Sequence, residues 1–179
     1  MTKSPDAGRT RQALRDATMA SHDRVDSLFA GFSLDQPDDY ADFLSAHSRA
    51  LSALEPVARP DQARMPLLAQ DLAALGVTQP QPLSLTAEPS DGYRWGLLYA
   101  LEGSRLGGAF LARRVGAGLP SAYLSATHGK GDWLAFQRAL DGAAAEGGEG
   151  WLNDAVQGAL AAFALFAEGA TAQKAVAHG

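Results

Sequence analysis

Residues 97–110 read Leu97-Leu98-Tyr99-Ala100-Leu101-Glu102-Gly103-Ser104-Arg105-Leu106-Gly107-Gly108-Ala109-Phe110. The stripe runs Trp95, Leu98, Leu101/Glu102, Leu106 and Phe110/Leu111 in steps of three and four, the period of a helix with one buried face. Three glycines interrupt that helix, Gly103, Gly107 and Gly108. Each interior glycine costs about 0.5–1 kcal/mol relative to alanine, so the three together cost about 2–3 kcal/mol. Gly103 and Gly107 are four apart and share a face, leaving a bald patch where something can approach the backbone closely. Tight helix–helix packing of the small-xxx-small kind fits that spacing. The sharper alternative is a flat ligand lying against the helix, which also tolerates a kink there. Periodicity does not separate the two.

The same helical spacing extends outward in both directions. Alanine is abundant, β-branched residues are scarce, and no period-2 alternation lasts more than a few residues. A first helix is expected over 11–29, with Leu14, Thr18, Ser21/His22, Val25 and Leu28/Phe29 as its stripe and Gly31 as its stop. Pro37 with Asp38 and Asp39 opens a second, carrying Tyr40, Phe43/Leu44, His47, Leu51 and Leu54, which Pro56 is expected to end. A short helix follows over 66–75, closed by Gly76. Pro80, Pro82 and Pro89 make 77–89 an extended connector, and Ser90-Asp91 caps the glycine-bearing helix. Two further helices are expected over 132–145, with Trp133, Phe136 and Leu140, and over 151–168, with Leu152, Val156, Leu160, Phe163 and Phe166 facing in. The fold class is all-α: a single-domain bundle of about six main helices. Residues 1–10 are expected to be a flexible N-terminus, 11–168 the domain, and 169–179 a weakly structured tail.

A chain of 179 residues with 46% hydrophobic content is long enough for one full core and too apolar to be disordered. Zero cysteines exclude a disulfide framework, thiolate metal ligands and a cysteine nucleophile. A net charge of −5 argues against nucleic acid as a partner, since phosphate neutralisation needs a basic face. Charges and glycines interrupt every apolar run, so no membrane partner is expected, and the polar start lacks a secretory stretch; the expected location is cytoplasmic.

Four histidines are candidate ligands. His178 falls in the tail, and His128, beside Gly129-Lys130-Gly131, reads as a solvated loop residue. His47 lies on an apolar stripe and reads as a core histidine with its hydrogen bonds satisfied. His22 differs, because Asp26 lies four residues later on the same face. A carboxylate beside an imidazole orients it and leaves its other nitrogen free for a metal. The same spacing also makes an ordinary surface pair worth about 0.3–0.5 kcal/mol.

Taken together, Leu14-Arg15-Asp16-Ala17-Thr18-Met19-Ala20-Ser21-His22-Asp23-Arg24-Val25-Asp26 and Glu102-Gly103-Ser104-Arg105-Leu106-Gly107-Gly108 resemble the bacterial haem oxygenase family, which includes phytochrome-associated members. The first resembles the family's proximal helix and the second its glycine-rich distal helix. Tyr40-x-x-Phe43-Leu44-x-x-His47, Leu67-Leu68-x-x-Asp71-Leu72 and Ala162-Phe163-x-x-Phe166 are also similar to family segments, so the resemblance spans about residues 11–168. It implies His22 as the proximal axial ligand of haem iron, with Asp26 bonded to its other ring nitrogen. It implies a distal wall made by Gly103, Ser104, Gly107 and Gly108, which leaves room for oxygen and, having no histidine, favours attack on the porphyrin edge. The implied activity is oxidative cleavage of haem to biliverdin, ferrous iron and carbon monoxide. Haem would be both cofactor and substrate, with O2 as co-substrate and electrons from an external ferredoxin or reductase.

Two positions depart from the family pattern. Ser104 stands where many members carry an aspartate that holds a proton-donating water chain, and Met19 stands where animal members are often basic. Arg15 matches a family basic position and is the expected propionate partner, with Arg138 a second match whose alternative is a solvated helix face. The missing aspartate motivates a competing reading, a non-catalytic haem carrier or sensor on the same scaffold. The thiaminase-like branch of the scaffold needs a cysteine nucleophile, and a di-iron oxidase needs Glu-x-x-His spacing; the sequence contains neither.

Overall fold

The computed structural model describes residues 8–86 and 90–178, and every described element is helical. In chain order these are α1 (Arg9–Phe29), α2 (Pro37–Ala58), α3 (Met65–Ala74), α4 (Asp91–Ala112), α5 (Ala122–Ser125), α6 (Asp132–Glu146) and α7 (Trp151–Ala177). The punctuation follows local chemistry. Ser90 Oγ accepts from Tyr93 N at 3.1 Å to cap α4. Pro37 opens α2 with Asp38 and Asp39 in its first turn, where the helix dipole favours negative charge. Gly76, just beyond α3, takes φ +71°, which costs a residue without a Cβ little.

Helix α7 is the central strut, packed against α1, α2 and α4. Its contact with α4 is close enough to be backbone on backbone. A Cβ at Gly96 would overlap the Ala155 carbonyl, and one at Gly158 would overlap the Tyr93 carbonyl. Small-residue packing therefore does occur on α4, at Gly92 and Gly96, about two to four turns before the glycines that suggested it. Around this seam Tyr40, Phe43, Leu44, Leu51 and Leu54 of α2 pack with Leu97, Leu101, Tyr123 and Phe166 as the main core. A smaller cluster of Leu14, Leu140, Trp151, Ala155 and Ala159 ties α1 and α6 to α7.

Several sequence expectations are corrected. Pro56 does not end α2; it sits in the last turn, and the helix stops at Arg59, which adopts φ 51° and donates its N–H to Glu55 O. The C-terminal segment is not weakly structured, because α7 continues to Ala177. Its last turns are docked by polar contacts that an apolar pattern does not register. Gln173 Nε2 donates to Asp42 Oδ1 at 2.7 Å, Arg49 Nε donates to Gln173 Oε1 at 3.1 Å, and Lys174 Nζ donates to Leu28 O at 3.2 Å. Of the segment expected to be a flexible N-terminus, residues 1–7 lie outside the described residues, and Arg9 and Thr10 belong to α1. By length and composition α7 is also apolar enough to cross a membrane, contrary to the absence expected of any such run. Half of its most apolar window is buried inside the bundle, so the core accounts for much of that character. Leu106 and Phe110 are not core: they are 47% and 65% exposed, because the inward face of α4 rotates through Leu97, Leu101, Arg105 and Gly108. Leu152 is exposed for a parallel reason, since α7 turns its alanines and glycines inward.

Candidate functional site

A cavity of about 560 Å³ opens between α1, α2, α4 and α7, with Trp133 of α6 at its edge. That volume lies in the range of small-molecule and cofactor sites. One wall is α1, which contributes Arg15, Thr18, Met19, His22 and Asp26; another is α4, which contributes Tyr99, Gly103, Ser104 and Gly107. Phe43 of α2 with Phe163 and Phe166 of α7 makes the apolar floor. Two segments some eighty residues apart in sequence thus face one space.

The glycines divide by role. A Cβ on Gly103 or Gly107 would meet nothing within 4 Å, so no neighbouring helix explains their missing side chains. Gly108 is different: a Cβ there would lie 2.8 Å from Leu124 O, which makes it a packing glycine against α5. Both sequence readings operate in one helix, on different faces.

His22 Nδ1 lies 3.3 Å from Asp26 Oδ2 and 4.0 Å from Asp23 Oδ1. Donor atoms of the three residues fall within 4.8 Å of one another. The imidazole is half exposed and meets Phe163 edge-on, with ring centroids 5.7 Å apart. Among the described residues no hydrogen bond engages its Nε2. Next along the wall, burial pushes the Tyr99 phenol pKa up, and the Thr18 hydroxyl and Arg15 pull it partly back.

Ser104 Oγ accepts from Arg64 Nη2 at 3.4 Å, and the same nitrogen donates to Leu101 O at 3.4 Å. Arg64 is buried and held from behind, since the Glu55 carboxylate accepts from the backbone N–H groups of Arg64 at 2.7 Å and Met65 at 2.9 Å. Its guanidinium stacks 4.9 Å from the centre of the Tyr123 ring. The Tyr123 hydroxyl and His47 Nδ1 share a hydrogen bond of 2.8 Å. Burial, with a smaller contribution from Arg64, lowers the His47 pKa to about 3, so this imidazole is neutral. His47 packs against Phe29 and Phe43, each with centroids 4.5 Å away, and so has the character of a core histidine while also lining the cavity.

The structure brings His22, Asp26, Arg15, Gly103, Ser104 and Gly107 together, and leaves Gly108 and Arg138 out. Arg138 is exposed on α6 because Leu140, two residues on and therefore across the helix, is the position buried against Leu14. His128 is not a solvated loop residue. Its side chain is 9% exposed and its Nε2 lies 2.6 Å from Glu102 Oε2. Sequence reading missed Tyr99, Trp133, Arg64 and Tyr123. Arg64 in particular lies in a polar stretch with no periodicity, and its partner Glu55 is nine residues away.

No protein-family model matches the chain. A curated protein named heme oxygenase, from Xanthomonas campestris pv. campestris (strain 8004), is 32% identical, with the match covering 72% of this chain and 87% of that protein. The solved NO- and CO-bound heme oxygenase from Neisseria meningitidis superposes with a TM-score of 0.73 at 27% identity, covering 92% of this chain and 91% of that one. Sequence identity at that level over most of one haem oxygenase, on a fold shared with another, makes this chain a member of the haem oxygenase family.

Proposed function

We propose that this protein cleaves haem oxidatively to biliverdin, ferrous iron and carbon monoxide, using O2 and electrons from an external donor protein, a ferredoxin or reductase. The observation that carries the reading is that His22 on α1 and the side-chain-free Gly103 and Gly107 on α4 line one apolar cavity. A flat macrocycle fits that cavity on its chemistry: an imidazole on one helix, a bald helix face on another, aromatic side chains beneath and Arg15 as a cation for a propionate. Bound haem supplies the iron that activates O2 and the porphyrin edge that is oxidised.

The protein's part is to hold, orient and shape. His22 would hold the haem through its free Nε2, while Asp26, 3.3 Å from Nδ1, would orient the ring and raise its basicity. Gly103 and Gly107 give the approach distance that any side chain would remove. Proton delivery falls to Ser104 in place of the aspartate of many relatives. Because Ser104 Oγ accepts from Arg64 Nη2, its own proton remains available to a water in the cavity, with bulk solvent as the eventual source.

With a reductant, O2 and catalase present, the Soret band of the haemin complex should decay and a bilin band should appear. Stable haem with no bilin, given a competent reductase, would leave a carrier or sensor as the reading, the outcome that Ser104 at this position keeps in play.

A further inference from the structure

Directly before the first open glycine of α4, Glu102 turns away from the cavity and gathers two side-chain nitrogens on one carboxylate oxygen. Oε2 lies 2.6 Å from His128 Nε2 and 3.5 Å from Arg105 Nε. Arg105 reaches on to Gln62 O at 2.6 Å, so this junction ties α4 to the segment between α2 and α3 and to the loop between α5 and α6. Because a carboxylate only accepts, His128 donates from Nε2. Its Nδ1 is buried without a hydrogen-bond partner among the described residues, so within them Glu102 is the ring's one polar anchor.

Two features make this fastening consequential. On the α4 side, Gly103 and Gly107 add no side-chain contacts of their own, so that turn is held by its neighbours alone: Arg64 at Ser104, Leu124 beside Gly108, and the junction at Glu102. On the loop side, the His128 ring stands 5.7 Å from Trp133, whose side chain lines the cavity edge. The loop bends at Gly131, with φ +84°, and among the described residues no ion pair besides this contact is seen between it and α4.

We propose that the Glu102–His128 pair is a positioning device: it holds the Gly103–Gly107 turn in place and fixes Trp133 at the cavity edge, and so sets how haem is seated. The consequence for haem rests on the haem oxygenase reading; the consequence for the turn does not.

The test compares wild type, His128→Ala and His128→Gln, which keeps a side-chain N–H donor. In the ligand-free proteins, amide hydrogen exchange at residues 103–108 should accelerate by about tenfold or more in His128→Ala and return toward wild type in His128→Gln. Helical circular dichroism and exchange in α2 should stay unchanged. With haemin, His128→Ala should bind several-fold more weakly and, on turnover, give a broader mixture of biliverdin isomers, again restored by glutamine. Unchanged exchange at 103–108 overturns the proposal. Accelerated exchange with unaltered haem affinity and isomer ratio overturns its functional half. A wild type that binds no haem overturns the haem oxygenase reading instead, and the exchange comparison still decides the pair's structural role. Should His128→Ala fail to fold, Glu102→Gln is measured in its place against the same outcomes.

Discussion

Replacing both Gly103 and Gly107 with alanine should stabilise the ligand-free protein and weaken its hold on haem. Both glycines lie inside α4 with right-handed backbone, and a methyl group on either meets nothing within 4 Å. Nothing opposes the intrinsic preference, so each substitution should gain about 0.5–1 kcal/mol, or about 1–2 kcal/mol for the pair. For a domain of this size that corresponds to a rise in Tm of about 2–8 °C. The two methyls occupy the face against which the macrocycle would lie, and a loss of about tenfold in haem affinity corresponds to about 1.4 kcal/mol. The control is Gly96→Ala, where the methyl overlaps the Ala155 carbonyl and the backbone of α7 must retreat. There the expected change is a loss of about 1–3 kcal/mol or more. Thermal and urea denaturation followed by far-ultraviolet circular dichroism, without haem, measure the first effect; haemin titration at the Soret band measures the second. If the double variant is less stable than wild type, the glycines serve the fold and the reasoning fails. If it is more stable but binds haem unchanged, the bald face has nothing to do with the ligand.

Four further outcomes are expected. His22→Ala should shift or weaken the Soret band of the haemin complex, whereas His47→Ala should leave axial ligation intact; the reverse result would reassign the ligand. Arg15→Ala should weaken haemin binding and Arg138→Ala should not, because only Arg15 lines the cavity; equal effects in the same titration would contradict that separation. Ser104→Ala should slow bilin formation in single-turnover absorbance traces while leaving haem affinity unchanged, and an unaltered rate would move proton delivery to backbone groups. The folded protein keeps His47 neutral down to about pH 3, whereas an unfolded imidazole titrates near 6.5. The unfolded state thus binds more protons across that window, and stability falls as pH drops through it, by up to about 1.4 kcal/mol per unit. Urea denaturation of His47→Gln should lose this component of the slope, and an unchanged slope would show that the imidazole is not held neutral.

The sequence by itself determined the all-helical class, because a 3.6-residue period needs only neighbours within one segment. The starts at Pro37 and Ser90 and the turn at Gly76 were legible for the same reason: each is a local backbone requirement met by the residue present. The His22/Asp26 pair was visible as a spacing, and the glycines of α4 as a cost that something had to offset. What offsets it was decided only in three dimensions, where Gly108 meets the Leu124 carbonyl and Gly103 and Gly107 meet open space. The exposure of Leu106 and Phe110, the burial of His128 against Glu102, and the docking of α7 through Gln173 share that origin. Each depends on a partner supplied by a distant segment. A period read along one chain reports which residues share a face, and only packing decides what that face meets.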